Sequence, residues 1–424
     1  MTRQTPLNPF GREMTASPGT QMAVDFEDRV DVVRLRRERL QKAKDSLTES
    51  GLAGLLLFDQ NNIRYVTGTH IGEWARDKMA RYVFLPADGD PILWDFGSAA
   101  ASHRRYASWL PESSWRAGVA SMRGALPAET GIADAMGKRI HEVMSEHGVA
   151  GQRLGVDILD VPILRALESN GVVVEDGQRV MLGARRRKTI DEIAFLDHAA
   201  GMVDAVYDHI YREWLRPGVR ENDLVAEANR LLYALGSDEV EAINAVSGER
   251  TSPHPHVFAD RLIRPGDTAY FDIIQAYNGY RTCYYRTFSV GFASPAQLDA
   301  YKQCREWIDR AIELVRPGQT TDRIALAWPA ATDFGFSSEE ECFGLQFGHG
   351  VGLALWEPPI ISRLNSLDHP MELEEGMVIA LETFCPAKDG MSAARIEEEV
   401  VITKDGCEVI TRFPASDALI AARY

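Results

Sequence analysis

A small set of side chains in the second half of the chain carries the chemistry this sequence can offer. Asp272 and Cys283 lie in FDIIQAYNGYRTCYYRTF. His254 and His256 share SPHPH (252–256). His349 sits in QFGHGVGLALWEPP, Glu382 in VIALETF and Glu397 in ARIEEEVVI. Asp, His and Glu form the ligand set of a hard or borderline divalent cation. A histidine beside such a set is the usual acid/base group. Glu382 follows the apolar run Val378–Leu381, and a carboxylate buried there is costly unless it is paired or holds a cation. The glycines around His349 suggest a loop whose backbone lies close to a ligand. Taken singly, each residue has an ordinary role. An Asp at a hairpin start serves a turn, a His beside Gly is structural, and Glu397 in a run of glutamates is a solvated edge. Their joint order singles them out.

These residues need strands and turns to bring them together. Residues 272–291 read as a strand, a tight turn at Asn278-Gly279 and a returning strand rich in β-branched and aromatic residues. Arg395 and Glu397 alternate onto one face of a strand, with Ile396 on the other. Upstream, Ile193, Leu196, Ala200, Val203, Tyr207, Ile210 and Trp214 form the apolar stripe of a long helix. A helix end, Arg216-Pro217-Gly218, and an Asp near the next helix start follow it. The same sequence of signals returns after the helix 297–315, at Arg316-Pro317-Gly318. Two copies so far apart indicate an internal duplication, each half with helices packed on an antiparallel hairpin.

The first half of the chain has another pattern. Val33, Leu40, Ala43 and Leu47 mark a helix over 31–50 that Gly51 stops. LAGLLLF (52–58), RYVFLP (81–86), PILWDF (91–96) and RLGVD (153–157) read as strands. HEVMSEHG (141–148) ends a helix, and a short one starts near Val161. This is an α/β domain over 30–180. Residues 1–29 read as a flexible N-terminal arm and 181–424 as an α+β catalytic domain.

Composition narrows the function classes. The 424 residues are 45% hydrophobic and 25% charged, as in an ordinary globular protein. No apolar run reaches the roughly 20 residues of a membrane span. A formal charge of −16 argues against nucleic acid, and Arg185-Arg186-Arg187-Lys188 reads as a solvated face at the domain boundary. Five scattered cysteines point to a reducing cytoplasm.

With these motifs in place, residues 188–424 resemble the pita-bread superfamily of aminopeptidase P, prolidase, methionine aminopeptidase and creatinase. Residues 30–180, with NNIRYVTG (61–68), resemble the N-terminal domain of creatinase and the prolyl peptidases. SGERTSP (247–253), FDQNNIRY (58–65) and the Trp74 to Arg81 spacing look like segments of the creatinase-fold dimethylsulfoniopropionate (DMSP) lyases. The resemblance implies a pita-bread catalytic domain with a pseudo-two-fold repeat, a small-molecule substrate and a homodimer. It places Asp272, His349, Glu382 and Glu397 at four metal-ligand positions and Cys283 at that of the bridging Asp. The peptidases' second active-site His falls at Trp356, and the lyases' base at Leu355.

Cysteine bridges two hard ions poorly. The expectation is therefore at most one divalent ion, held among Asp272, Cys283, His349, Glu382 and Glu397, with metal-free operation as in creatinase the alternative. The leading expectation is a creatinase-like hydrolase of a C–N bond in an amidine, amide or betaine-like compound. His254 transfers protons, Glu357, Glu382 and Glu397 bind positive charge, and Trp356 and Trp74 supply aromatic walls. His256 contributes to substrate binding. In an extended SPHPH segment both rings face one side, and spacing to Asp272 favours His254 for catalysis. The alternatives are a DMSP lyase-like enzyme with Tyr284 or Tyr285 as base, a single-metal Xaa-Pro peptidase, and a silent binding protein of the same fold.

Overall fold

A computed structural model of the chain describes residues 30–423. The arm expected over 1–29 lies outside them. The chain divides into two compact units, one up to Arg185 and one from Arg186.

The first unit contains α1 (Val32–Ser50), β1 (Gly54–Leu57), α2 (Gln60–Thr67), β2 (Tyr82–Pro86), β3 (Ile92–Asp95), α3 (Gly97–Tyr106), β4 (Trp115–Ala117), α4 (Ile132–Glu146), β5 (Arg153–Val156), α5 (Val161–Ser169), β6 (Val173–Asp176) and α6 (Gln178–Arg186). Its strands form one mixed sheet in the order β4-β3-β2-β1-β5-β6. Leu56, Phe84 and Leu154 of the sheet pack on Ile140, Val143 and Leu167 of α4 and α5. α1 buries Leu35, Arg39, Ala43 and Leu47. Val33, expected on that face, is exposed; the stripe starts one helical step later, and the Arg39 guanidinium caps the Arg64 carbonyl. The NNIRYVTG segment is α2, fixed by a buried polar knot. Asp157 accepts from the Phe58 and Asp59 N–H groups and from Asn62, whose own carbonyl accepts from Arg185 at 2.7 Å.

The second unit contains α7 (Ile190–His209), α8 (Glu221–Leu235), β7 (Glu239–Ser247), β8 (Thr268–Tyr277), β9 (Tyr280–Val290), α9 (Pro295–Leu314), α10 (Thr321–Ala327), β10 (Phe347–Gly350), β11 (Glu357–Ile361), β12 (Val378–Pro386), β13 (Ala393–Ile402), β14 (Cys407–Val409) and β15 (Leu419–Ala421). Two sheets result, β15-β9-β8-β7 and β11-β10-β12-β13-β14. α7 opens with a capping box of Thr189 and Glu192. Its stripe packs Val203 and Tyr207 on Phe271 and Phe288 of the first sheet. In the same way α9 packs Cys304 and Ile308 on Leu381 and Ile396 of the second. The turn expected at Asn278-Gly279 has both residues at positive φ, 51° and 82°. That is the backbone of a tight hairpin, which Asn and Gly tolerate.

Arg185–Lys188 is not the solvated face its charge suggests. Arg185 and Lys188 are buried. Arg185 bonds Asn62, Arg186 pairs with Glu374, and Lys188 pairs with Glu357 at 3.1 Å. Carboxylates and an amide far away in sequence supply the partners.

Candidate active site

The second sheet supplies His349, Glu382 and Glu397. In the β12–β13 hairpin Glu382 lies directly opposite Glu397, and on β10 Phe347 is opposite Glu382. His349, two residues from Phe347, therefore projects from the same face. Its neighbouring glycines belong to a strand, not a loop. A Cβ on Gly350 would stand 2.5 Å from the Pro358 carbonyl, and one on Gly348 2.9 Å from Leu381. Close packing between strands, rather than close approach to a ligand, requires them.

The first sheet supplies Asp272, Cys283 and a residue the sequence reading left undecided, Tyr285. Asp272 is opposite Tyr285, and Ile274 opposite Cys283. Cys283 and Tyr285 share one face. Tyr284 faces the other way, where its hydroxyl donates to Asp204 at 2.6 Å and its ring meets Tyr207. Opposite Asp272 on β7 is Asn244, which donates to the Asp272 carboxylate at 2.9 Å.

The two sheets meet along β9 and β13 through side chains. Thr287 donates to the Arg395 carbonyl at 2.6 Å and accepts from its N–H. Arg286 reaches the Glu397 carbonyl and the Glu398 carboxylate. Glu399 accepts from the Cys283 N–H at 2.8 Å and from the Thr282 hydroxyl at 2.9 Å. The glutamate run, read singly as a solvated edge, is buried throughout.

Burial sets the electrostatics. It pushes the carboxyls of Asp272, Glu382 and Glu397 and the Cys283 thiol upward, and their mutual proximity adds to the rise in Glu397. It holds His349 down, so the imidazole is neutral. Arg395, also buried, pairs with Glu382 and lies 4.4 Å from the Tyr285 ring centre. Asp272 receives Asn244 and, at 3.4 Å, the Cys283 thiol. Both carboxylates thus have partners.

Glu397 differs. Neither of its oxygens meets a hydrogen-bond donor among the described residues, although the side chain is fully buried. The His349 Nε2 atom is 3.9 Å away. His349 Nδ1 lies 3.1 Å from the Gly350 carbonyl, which favours the proton on that nitrogen. Ligand atoms of Cys283, His349 and Glu397 all lie within 4.8 Å of one another. An orphaned buried carboxylate, an imidazole nitrogen and a sulfur fit one cation. Of the five expected ligands, the structure gathers these three and gives Asp272 and Glu382 to other partners.

His254 lies behind Tyr285. Its Nε2 is 2.8 Å from the Tyr285 hydroxyl, and its Nδ1 accepts the His256 N–H at 3.3 Å. The two imidazole centroids lie 3.8 Å apart, with the rings tilted by 31°. The cause is not an extended segment, since His256 has φ of 53°. Burial lowers both imidazole pKa values, His256 to about 4. Trp356 is 58% exposed, with its ring 6.3 Å from that of His349. It is not a core aromatic. Glu357 forms an ion pair with Lys188 and accepts the Ala354 N–H. Trp74, in the first unit, stacks on Phe96 at 5.4 Å. Asn244, Lys188 and Glu399 escaped the sequence reading. Only Glu399 left a local signal, a charge inside an apolar strand.

Comparison with known proteins places this arrangement. The model of Metallopeptidase family M24 matches residues 194–404, and that of the Creatinase/Prolidase N-terminal domain matches residues 39–169. The chain belongs to the pita-bread superfamily of creatinases and prolidases. A dimethylsulfoniopropionate lyase, DddP of Roseovarius nubinhibens, is 28% identical over 92% of this chain and 88% of its own. A probable dipeptidase, PepE of Mycobacterium tuberculosis, is 27% identical over 89% and 94%. The solved dipeptidase PepE from Mycobacterium ulcerans superposes with a TM-score of 0.73 at 24% identity, over 92% of this chain and 99% of that one, which supports the fold alone. No helix among the described residues is long and apolar enough to cross a membrane.

Proposed function

We propose that this chain is a creatinase-like hydrolase that cleaves a C–N bond in a small, positively charged amidine, amide or betaine-like compound. The observation that carries the reading is the buried, unpartnered carboxylate of Glu397 near His349. Burial and the neighbouring carboxyls push its pKa upward, so it ionises there only beside a positive partner. A divalent ion held by Cys283, His349 and Glu397 would supply Lewis acidity; without one, the substrate's own cation fills that role. Trp356 offers an aromatic face to the same charge. His254 is the proton-transfer group, neutral through burial and joined by the Tyr285 hydroxyl to Asp272. A neutral imidazole can accept a proton from the attacking water and return it to the leaving nitrogen. A cytoplasmic homodimer is part of the proposal and rests on the resemblance.

The lyase alternative stands behind this one. Leu355 cannot act as a base, Tyr284 faces α7, and burial pushes the Tyr285 phenol well above its usual range. Desolvation acts against a phenolate, opposite to what that alternative requires. The test is a panel of amidines, amides and betaines assayed with Ala-Pro, Met-Pro and DMSP alongside. Release of an amine, ammonia or urea from a panel member supports the hydrolase, with negligible turnover of the dipeptides. Preferred turnover of Ala-Pro or DMSP would replace it.

A further inference from the structure

We propose that Cys283, His349 and Glu397 form a one-ion site for a thiophilic divalent cation of the zinc class, with Asp272 and Glu382 outside the coordination sphere. This goes further than the hydrolase reading, because it assigns the ion's chemistry, its number and its ligands, and it holds whichever bond is cut.

The donor set comes first. The three residues offer one sulfur, one imidazole nitrogen and one carboxylate oxygen, all buried and within 4.8 Å of one another. Sulfur with imidazole selects zinc or cobalt, whereas carboxylate and carbonyl oxygens suit magnesium, calcium and manganese. Three protein ligands leave a tetrahedral ion one open position, the pattern of catalytic rather than structural zinc.

Two of the ligands are prepared for this role. Glu397 is fully buried with both oxygens unpartnered among the described residues. Its backbone carbonyl is held by Arg286, and the neighbouring Glu399 binds the Cys283 N–H. Together these fix Cys283 relative to Glu397. His349 Nδ1 is engaged by the Gly350 carbonyl, the kind of outer contact that orients a metal-binding imidazole.

The other two carboxylates lack that freedom. Asp272 receives the Asn244 amide on one oxygen and faces the Cys283 sulfur at 3.4 Å with the other, and Glu382 receives the Arg395 guanidinium. A second ion beside Glu382 would have to sit against this fixed positive charge. The side chains therefore provide for one cation.

The experiment uses full-length protein stripped with a chelator and loaded with zinc, cobalt or manganese alone. Zinc and cobalt should bind at one ion per chain, and manganese at least about 100-fold more weakly. The cobalt form should show the intense near-ultraviolet band of thiolate-to-cobalt charge transfer. Cys283→Ser should abolish that band while circular dichroism stays native, with Cys283→Ala as a second probe if serine disturbs folding. Cys283→Asp should narrow the zinc-to-manganese preference by at least about tenfold. Asp272→Asn and Glu382→Gln should keep the band. A cobalt form without the band, a band that survives both Cys283 substitutions, or a band lost in Asp272→Asn would overturn the assignment. The outcomes also separate this site from the hydrolase reading. A chain that binds zinc this way and hydrolyses no panel compound keeps the site and loses the reading. A chain that hydrolyses a panel compound and binds neither zinc nor cobalt keeps the reading and loses the site.

Discussion

The two halves of the catalytic domain share a backbone and differ in chemistry. The Gly218 N–H donates to the Ile263 carbonyl at 2.9 Å, and the Gly318 N–H donates to Leu373 at 2.9 Å. Gly266 bonds Val290 at 2.7 Å, and Gly376 bonds Ile402 at 2.9 Å. Each half then sends a hairpin toward the other. The second hairpin carries Glu382 opposite Glu397, two carboxylates face to face. The first carries Asp272 opposite Tyr285. Along the strands the duplication has parted. The second half, with His349, presents the buried Glu397 carboxyl, which ionises only beside a cation. The first half presents a hydrogen-bonded file from Asp272 through Tyr285 to His254, which suits proton movement, and lends the second half one sulfur. A duplicated scaffold fixes where side chains project, and the residues at those positions differ; in the proposed function one half binds charge and the other moves protons.

The largest expected effect tests the proton-moving half. His254→Ala should lower turnover by roughly 10²–10⁴-fold, while His256→Ala mainly changes KM. Comparing kcat of the two on one substrate decides it. Loss of turnover in His256→Ala alone would transfer the role to His256.

Next comes the seam that joins the halves. Glu399→Ala leaves the Cys283 N–H and Thr282 hydroxyl buried without their acceptor. Urea unfolding should show a loss of about 1–3 kcal/mol. Glu399→Gln, which keeps an acceptor oxygen, should lose less. Equal losses would mean that burial, and not the hydrogen bonds, joins the sheets.

A smaller effect belongs to Tyr285→Phe. It removes one hydrogen bond to His254, worth about 0.5–1.5 kcal/mol, so turnover should fall by no more than about tenfold. A loss as large as that of His254→Ala would make Tyr285 itself the proton donor.

The smallest effect is on stability against pH. His256 is held at about 4 in the fold against an ordinary 6.5. The unfolded chain therefore gains a proton before the folded one does. The contribution of the neutral ring is intact above about pH 6.5 and is lost as pH falls toward about 4. His256→Gln should show a shallower decline of Tm over that range. An unchanged decline would place the acid sensitivity elsewhere.

What the sequence made legible follows from how far apart the interacting groups are. The apolar stripe of α7, the Asn278-Gly279 turn and the repeated Pro-Gly stops are local signals, and each marks the element it predicts. Glu382 was readable because a carboxylate after an apolar run is costly. Alternation along β9 already puts Cys283 with Tyr285 and sends Tyr284 to the far side, so that choice was open to period-two reasoning. The pairings Lys188–Glu357 and Arg395–Glu382, and the donation of Asn244 to Asp272, depend on tertiary approach. No local pattern announces them, and the basic run at 185–188 was misread for the same reason. The glycines beside His349 carried a true signal of close approach, but the approaching backbone is β11, not a ligand.

Elemental analysis of the purified chain tests the division between the halves most directly. Measured after preparation without added metal, and again after saturation with zinc, the account predicts no more than one ion per chain. Two tightly bound ions would mean that Asp272 and Glu382 are also ligands, that both halves bind metal, and that the separation of roles drawn between them is wrong.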